Sequence, residues 1–305
     1  MTKSFFPLLF LFISIQVFGN IKNDSLKIKP YHDLAYDFAN PDVEFILPDN
    51  LDEISGLSLT KDQSQLIANN DEDGKLFIIN KSTGEVEKEI DFYKEGDYEG
   101  VEVVGESIFV VKSTGTIYEI KNFETENQEV IKHKFFLTKE NDVEGLAFDS
   151  KNNRLLLSCK GIGGIGDAFH MAKSIYAFDL DSRTMVEEPA LKIEAKHCHD
   201  YLGVCDFHDN LEKLKSFFAA EDRFNFSPSA IAIHPITGEI YIASSRGKVL
   251  LILDAQGGIL HIEKLNKKIH PQPEGMCFDA DGTLYISNER KKEETAKIYK
   301  FAYKH

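Results

Sequence analysis

Three glutamates carry the clearest chemistry in this sequence: Glu99, Glu144 and Glu274, each followed directly by glycine and then by an apolar run. Carboxylates that share a small space repel one another, so three together demand a neutraliser: a hard divalent cation, bound protons or basic side chains. Calcium is held by carboxylate and amide oxygens, which adds Asn70 and Asn288 to the glutamates as a candidate Ca2+ ligand set. A structural alternative pairs the glutamates with Lys112, Lys160 and Arg246 in a closed ring of charge. A third leaves the carboxylates solvated and unpaired. Every version requires residues far apart in the chain to be carried to one place.

The carrier is a repeat. A small-polar or acidic residue precedes glycine, an apolar strand, a turn and a second strand ending in a small or polar residue; the clearest copy spans Pro273 to Glu289. Other copies start at Ser55-Gly56-Leu57, Glu99-Gly100-Val101, Glu144-Gly145-Leu146 and, with alanine in place of glycine, Ser229-Ala230-Ile231. From Gly56 through Gly100, Gly145 and Ala230 to Gly275 the intervals are 44, 45, 85 and 45 residues. A unit of this length makes a small sheet that cannot bury both faces alone, so copies must stack, and radial stacking gives a β-propeller.

The doubled interval hides either a sixth copy or an insertion. Residues 194–228 hold His197, Cys198, His199, Cys205 and His208, then Leu211, Leu214, Lys215, Phe217 and Phe218 at roughly helical spacing, with no alternating strand run. The expectation is therefore an all-β propeller of five four-stranded blades with a short helical insertion, six blades being the alternative. In the first copy the strands read Ile54 to Leu59, Gln65 to Ala68, Lys75 to Ile79 and Glu85 to Ile90, with turns at Asp73-Gly74 and Thr83-Gly84. The last copy supplies only three strands, and the alternating run Val43 to Leu47 near the start is the expected fourth, closing the ring. Around the channel mouth such a fold gathers Glu99, Glu144 and Glu274 from the inner strands. Asn70, Asp71, Lys112, Lys160, Arg246, Asn288 and Glu289 follow from the ends of the second strands.

The setting follows from composition. Residues 38–305 suffice for one propeller of roughly 250 residues without a second domain. Against 50 acidic residues stand 35 basic ones, a formal charge of −15; no basic face is expected for a nucleic acid, and cations or basic surfaces are the expected partners. Residues 1–19 combine Lys3, the apolar run Phe5 to Val17 and Val17-Phe18-Gly19, the pattern of a cleavable export signal. A periplasmic or secreted product, with no transmembrane segment in the mature chain, is expected, and residues 20–37 read as a polar linker.

Further patterns carry less chemistry. The pair Cys198 and Cys205 reads as a disulfide closing a small loop in an oxidising compartment, with a metal site built with His197, His199 and His208 as the alternative. Cys159 and Cys277 fall inside strand runs and read as buried fillers. Gly161 to Gly166 is followed by a strand rather than the helix a phosphate loop must open, and so reads as a loop. Asp71-Glu72-Asp73-Gly74 reads as a turn, since a calcium loop needs later ligands. No Gly-x-Ser-x-Gly elbow and no His-Glu-x-x-His pair occurs.

The set Asp52-Glu53-Ile54-Ser55-Gly56-Leu57, Asp97-Tyr98-Glu99-Gly100, Asp142-Val143-Glu144-Gly145-Leu146, Ile175-Tyr176-Ala177-Phe178-Asp179 and Gln272-Pro273-Glu274-Gly275-Met276 resembles the SdiA-regulated (YjiK/CarP) family of exported bacterial β-propellers. The resemblance spans residues 38–305. It implies a periplasmic or envelope-associated propeller without an established reaction, linked in some members to calcium homeostasis; the Cys/His-rich insertion departs from the pattern. The Glu-Gly starts are also similar to gluconolactonase-type propellers, which implies a metal-dependent lactonase or esterase with the three glutamates as ligands. Those enzymes generally have six blades and a conspicuous general base, for which no candidate stands out here. A propeller face that docks an envelope protein is the remaining reading.

Overall fold

Alternating apolar residues make each repeat an antiparallel sheet with two apolar faces, and such a sheet is stable only when neighbours cover both. The computed structural model describes residues 34–164, 169–205, 210–219, 222–292 and 294–304. Residues 1–19, most of the expected linker, His208 and the end of the glycine-rich loop lie outside the described residues.

After β1 (Val43–Ile46), the first blade is β2 (Ile54–Leu59), β3 (Gln65–Asn70), β4 (Lys75–Asn80) and β5 (Val86–Asp91). The second is β6 (Tyr98–Val104), β7 (Ser107–Lys112), β8 (Ile117–Lys121) and β9 (Glu129–His133). In the third, β10 (Val143–Asp149), β11 (Arg154–Cys159) and β12 (Ala172–Asp179) are followed by an outer position shared between β13 (Thr184–Met185) and β14 (Leu191–Glu194). Two helices, α1 (Ala195–Val204) and α2 (Leu211–Phe218), precede the fourth blade: β15 (Pro228–Ile233), β16 (Ile240–Ser244), β17 (Val249–Leu253) and β18 (Ile259–Lys264). The fifth is β19 (Pro273–Phe278), β20 (Leu284–Asn288) and β21 (Lys297–Phe301), completed by β1. The expected five-bladed propeller and its closing strand are both present.

Closure is an antiparallel pairing of β1 with β21, Val43 opposite Lys300 and Phe45 opposite Ile298. Phe45 packs with Ile54, Leu57, Leu66 and Phe77 of the first blade and Tyr285 and Ile298 of the fifth. Each of the other blade interfaces holds its own apolar cluster. Period-two alternation feeds two clusters from one strand: Leu66 and Ala68 face the fifth blade, whereas Ile67 faces the second.

Two sequence expectations change here. Segment 20–37 is not wholly a linker: Tyr36 is buried and its hydroxyl donates to the Gly282 carbonyl at 2.6 Å, so the packed domain begins before residue 38. The insertion contains a second helix, α1, over the Cys/His-rich segment. Both helices wedge between blades three and four, burying Cys198, Tyr201, Leu202, Leu214 and Phe218 against Leu156, Ile175, Ile231 and Leu251. Their place is the rim of the wheel: Tyr201 hydroxyl donates to the Leu260 carbonyl of β18 at 2.9 Å.

The repeated glycine marks where the inner strands β2, β6, β10, β15 and β19 converge. A methyl at Gly56 would sit 2.5 Å from the Val101 amide nitrogen, and one at Gly275 2.7 Å from the Ser55 carbonyl oxygen. At Gly100 it would meet Leu146 Cβ at 2.9 Å, and at Gly145 the Ile231 amide nitrogen at 3.0 Å. Each glycine thus lets the next blade's backbone approach closer than any side chain permits. Gly275→Ala is accordingly expected to destabilise the protein by about 2 kcal/mol through overpacking against immovable backbone. Urea unfolding checks this, with Ala230→Gly, where a methyl is already accommodated, as the control of smaller effect.

Candidate functional site

One irregularity recurs on every inner strand. The ladder to the second strand shifts register between Ile54 and Leu57, Tyr98 and Gly100, Val143 and Gly145, Pro228 and Ala230, and Pro273 and Gly275. A bulge holds an extra residue out of the pairing and re-aims its side chain. The residues so placed are Ser55, Glu99, Glu144, Ser229 and Glu274, all of them buried. Glu99, Glu144 and Glu274 line one constriction of the central channel, a cavity of about 10 Å³ floored by Gly56, Gly100, Gly145 and Gly275. That is room for about one water. Glu99, Glu144 and Glu274 thus line one opening.

Their electrostatics are dominated by lost solvent. Burial, and then repulsion from Glu144, pushes the Glu99 carboxyl up to about 9, although the Ser55 hydroxyl donates to it at 3.0 Å. Burial pushes Glu144 up to about 7 despite an ammonium bond from Lys160 at 2.7 Å. Glu274 is raised well above the carboxylate range by burial, Glu144 and Glu289. Lys160 is held fully charged: burial opposes its ammonium, but Glu144, Asp142 and Glu274 more than compensate.

Two acids outside the expected mouth residues, Asp97 and Asp142, stand beside the ring. Asp97 hydrogen-bonds Glu99 and accepts from Ser113 Oγ, and Asp142 adds negative charge beside Glu144. The signal was present in the Asp-x-Glu-Gly spacing of the second and third repeats. Further out, burial and then Glu53 push Asp71 up to about 7.

The remaining candidates divide. Asn288 lies opposite Pro273, next to Glu274, with Nδ2 and Oδ1 both buried and lacking a hydrogen-bond partner among the described residues. Asn70 is turned away: its amide donates to the Asn50 carbonyl at 3.2 Å and its Oδ1 accepts the Asp73 amide at 2.9 Å, closing the expected turn. Lys112 lies over the Tyr98 ring, 5.3 Å from its centre, rather than on a glutamate. Of the three cations proposed for a closed ring, only Lys160 bonds a ring carboxylate among the described residues. Among those residues, no three His, Cys, Asp or Glu side chains are arranged as direct ligands of one metal ion.

The Cys198–Cys205 disulfide is corrected. Cys198 lies within α1 and Cys205 caps it, so seven residues of helix separate their Cα atoms by roughly 10 Å, beyond the roughly 7 Å a disulfide spans. Cys205 Sγ instead donates to the Tyr201 carbonyl at 3.2 Å, and Cys198 is fully buried in the apolar wedge. His197 and His199 lie on the exposed side of α1, and among the described residues, which exclude His208, the cluster forms no metal site. Cys159 and Cys277 are buried in strands as expected. The glycine-rich loop is a strand connection, gripped by Lys173 through the Gly161 carbonyl at 2.7 Å and by Tyr176 through the Gly163 carbonyl at 3.0 Å.

Comparison with known proteins agrees with this architecture. The family model described as SdiA-regulated matches residues 43–159 and 209–292. Among curated proteins no sequence match is found. Solved structures similar to this chain include a glutaminyl cyclase from Myxococcus xanthus, 10% identical with a TM-score of 0.55, covering 86% of this chain and 94% of that one. A luciferin-regenerating enzyme is 9% identical with a TM-score of 0.48, covering 86% and 95%. At such identity the cyclase attests the fold alone.

The raised carboxyls make stability fall with pH. Glu99 and Glu144 bind protons more tightly folded than unfolded, so their contribution is complete below about 4.5 and is lost as pH climbs through 7 toward 9. In chelator, the melting temperature should decline from pH 5 to pH 9, and Glu99→Gln should flatten the decline and melt higher than wild type at pH 9. A melting temperature for Glu99→Gln below wild type at pH 9 would contradict this account.

Proposed function

The chain belongs to the SdiA-regulated family, and on that premise we propose that it is an exported, non-catalytic propeller whose acidic channel mouth captures a divalent cation, calcium first. The observation that carries the reading is the excess of acid at the hub: Glu99, Glu144 and Glu274 share one constriction with Asp97 and Asp142 nearby, while Lys160 alone bonds a ring carboxylate among the described residues. Calcium accepts six to eight oxygens in adaptable geometry and tolerates waters among them. Asn288 Oδ1, buried opposite Pro273 without a partner among the described residues, is a neutral oxygen of the kind calcium uses. Asn70, committed to its turn, is not part of this set.

The link to calcium homeostasis and the envelope that the resemblance implies gives such a site a setting, and residues 1–19 supply the export expectation. In this role the rigid ring holds the carboxyls apart at fixed separation, and the ion competes with Lys160 and with bound protons for them.

Calcium added to chelator-treated protein at pH 8 is expected to raise the melting temperature. At about 100 times the Kd the gain is about 2.7 kcal/mol, or roughly 5–10 °C for a domain of this size. The pair Glu99→Gln with Glu274→Gln should erase the rise while leaving the fold intact by circular dichroism. Indifference of the wild type to both calcium and magnesium would sink the cation reading and leave the ring as a structural charge cluster.

A further inference from the structure

Beyond the hub glycines the inner strands form another ring. Two residues past each glycine position stand Ser58, Glu102, Ala147, Ala232 and Cys277, paired across their ladders with Ile67, Phe109, Leu156, Tyr241 and Tyr285. All five line a single cavity of about 210 Å³. It lies at the opposite end of the channel from the acidic mouth, since Glu102 is three residues along β6 from Glu99, about 10 Å away. Four members of the ring are small, which opens the space. The fifth is a glutamate.

Glu102 is held but not neutralised. Its Oε1 accepts the Phe148 amide at 3.3 Å, and the Ser58 hydroxyl lies near enough to favour its charged form. Neither group brings positive charge. The nearby ammonium groups are engaged elsewhere, Lys61 with Glu106 and Lys81 with Asp279 at 2.5 Å. Among the described residues no cation pairs with Glu102. Its lining is mixed: Thr60, Lys61 and Gln63 bring polar groups, and Leu59, Ile233 and Met276, with Phe148 and Phe278, bring apolar ones.

We infer that this cavity is a second ligand site, one for a small organic cation: an ammonium or amidinium carried on a short apolar or aromatic body. An unpaired carboxylate in a cavity that also offers apolar and aromatic residues is the complement of such a ligand, and an aromatic ring adds attraction for a cation. A single carboxylate is too few for a divalent metal, and an anionic ligand would meet both Glu102 and a chain of formal charge −15. A volume of about 210 Å³ limits the ligand to a small molecule or to the end of a longer one. Burial pushes the Glu102 carboxyl up to about 7, so a bound ammonium would draw it back toward the ordinary range.

The test is calorimetric titration of the whole protein at pH 8 with benzylammonium, benzyl alcohol and benzoate. Benzylammonium is expected to bind at least tenfold more tightly than benzyl alcohol, with no binding of benzoate. Glu102→Gln should lose at least tenfold for benzylammonium, and Glu99→Gln with Glu274→Gln should leave it unchanged, which separates this site from the acidic mouth. Nuclear Overhauser contacts from bound benzylammonium to the Phe148 and Phe278 rings of the wild type provide a readout that does not depend on a variant folding. Equal affinity for the alcohol, an unaffected Glu102→Gln variant, absent ring contacts or no binding by the wild type would each overturn the inference.

Discussion

The crowding of backbone at the hub governs the rest of this molecule. Five inner strands meet so closely that at Gly56, Gly100, Gly145 and Gly275 a single methyl would press on the adjoining strand. Glycine solves the contact but leaves no side chain to fill the axis, and the bulge one residue earlier turns another side chain into that place. Where that residue is serine, as at Ser55 and Ser229, it becomes a hydrogen-bond donor; where it is glutamate, charge accumulates. The acidic ring is a consequence of packing geometry combined with three particular residue choices.

The two ends of the channel answer to different physics. At the glycine level the walls are backbone and the opening holds about one water, so carboxyls there are desolvated and act on one another. Two residues further, alanine, serine and cysteine side chains widen the passage, and Glu102 has room beside it instead of a neighbouring acid. One strand, β6, therefore presents two glutamates in unlike surroundings, Glu99 buried and coupled to its own kind and Glu102 half-buried with no second acid lining its cavity.

Much of this architecture was legible in the residues, for reasons that can be named. Glycine spacing marked the blades, alternation marked the strands, and the missing outer strand of the last repeat pointed to the run Val43 to Leu47, where β1 spans Val43–Ile46. Glu99, Glu144 and Glu274 were traceable because each stands at a fixed offset from a hub glycine. What escaped depended on geometry that residue types do not encode alone. The helix over Ala195–Val204 buries Ala195, Cys198, Tyr201 and Leu202, a stripe too short and too broken by Lys, His and Asp to stand out, and a loop reading of it made a Cys198–Cys205 bond look reachable. Asn70 matched the repeat position of Asn288 but was captured by a local turn through Asp73. Asp97 and Asp142 were visible in their motifs, yet their approach to the ring required the bulge, which no spacing announces.

The seam between β1 and β21 has a consequence for how the molecule is made. It joins residues separated by most of the domain, Val43 with Lys300, so its formation bears the loop-closure entropy of nearly the whole polypeptide. Until Lys297–Phe301 leaves the ribosome, the earlier segment waits with its peptide groups unsatisfied and Phe45 without its Ile298 partner. Blades one to four can assemble in order of synthesis, but the circle locks last, and an unlocked intermediate presents an open edge to any passing chain.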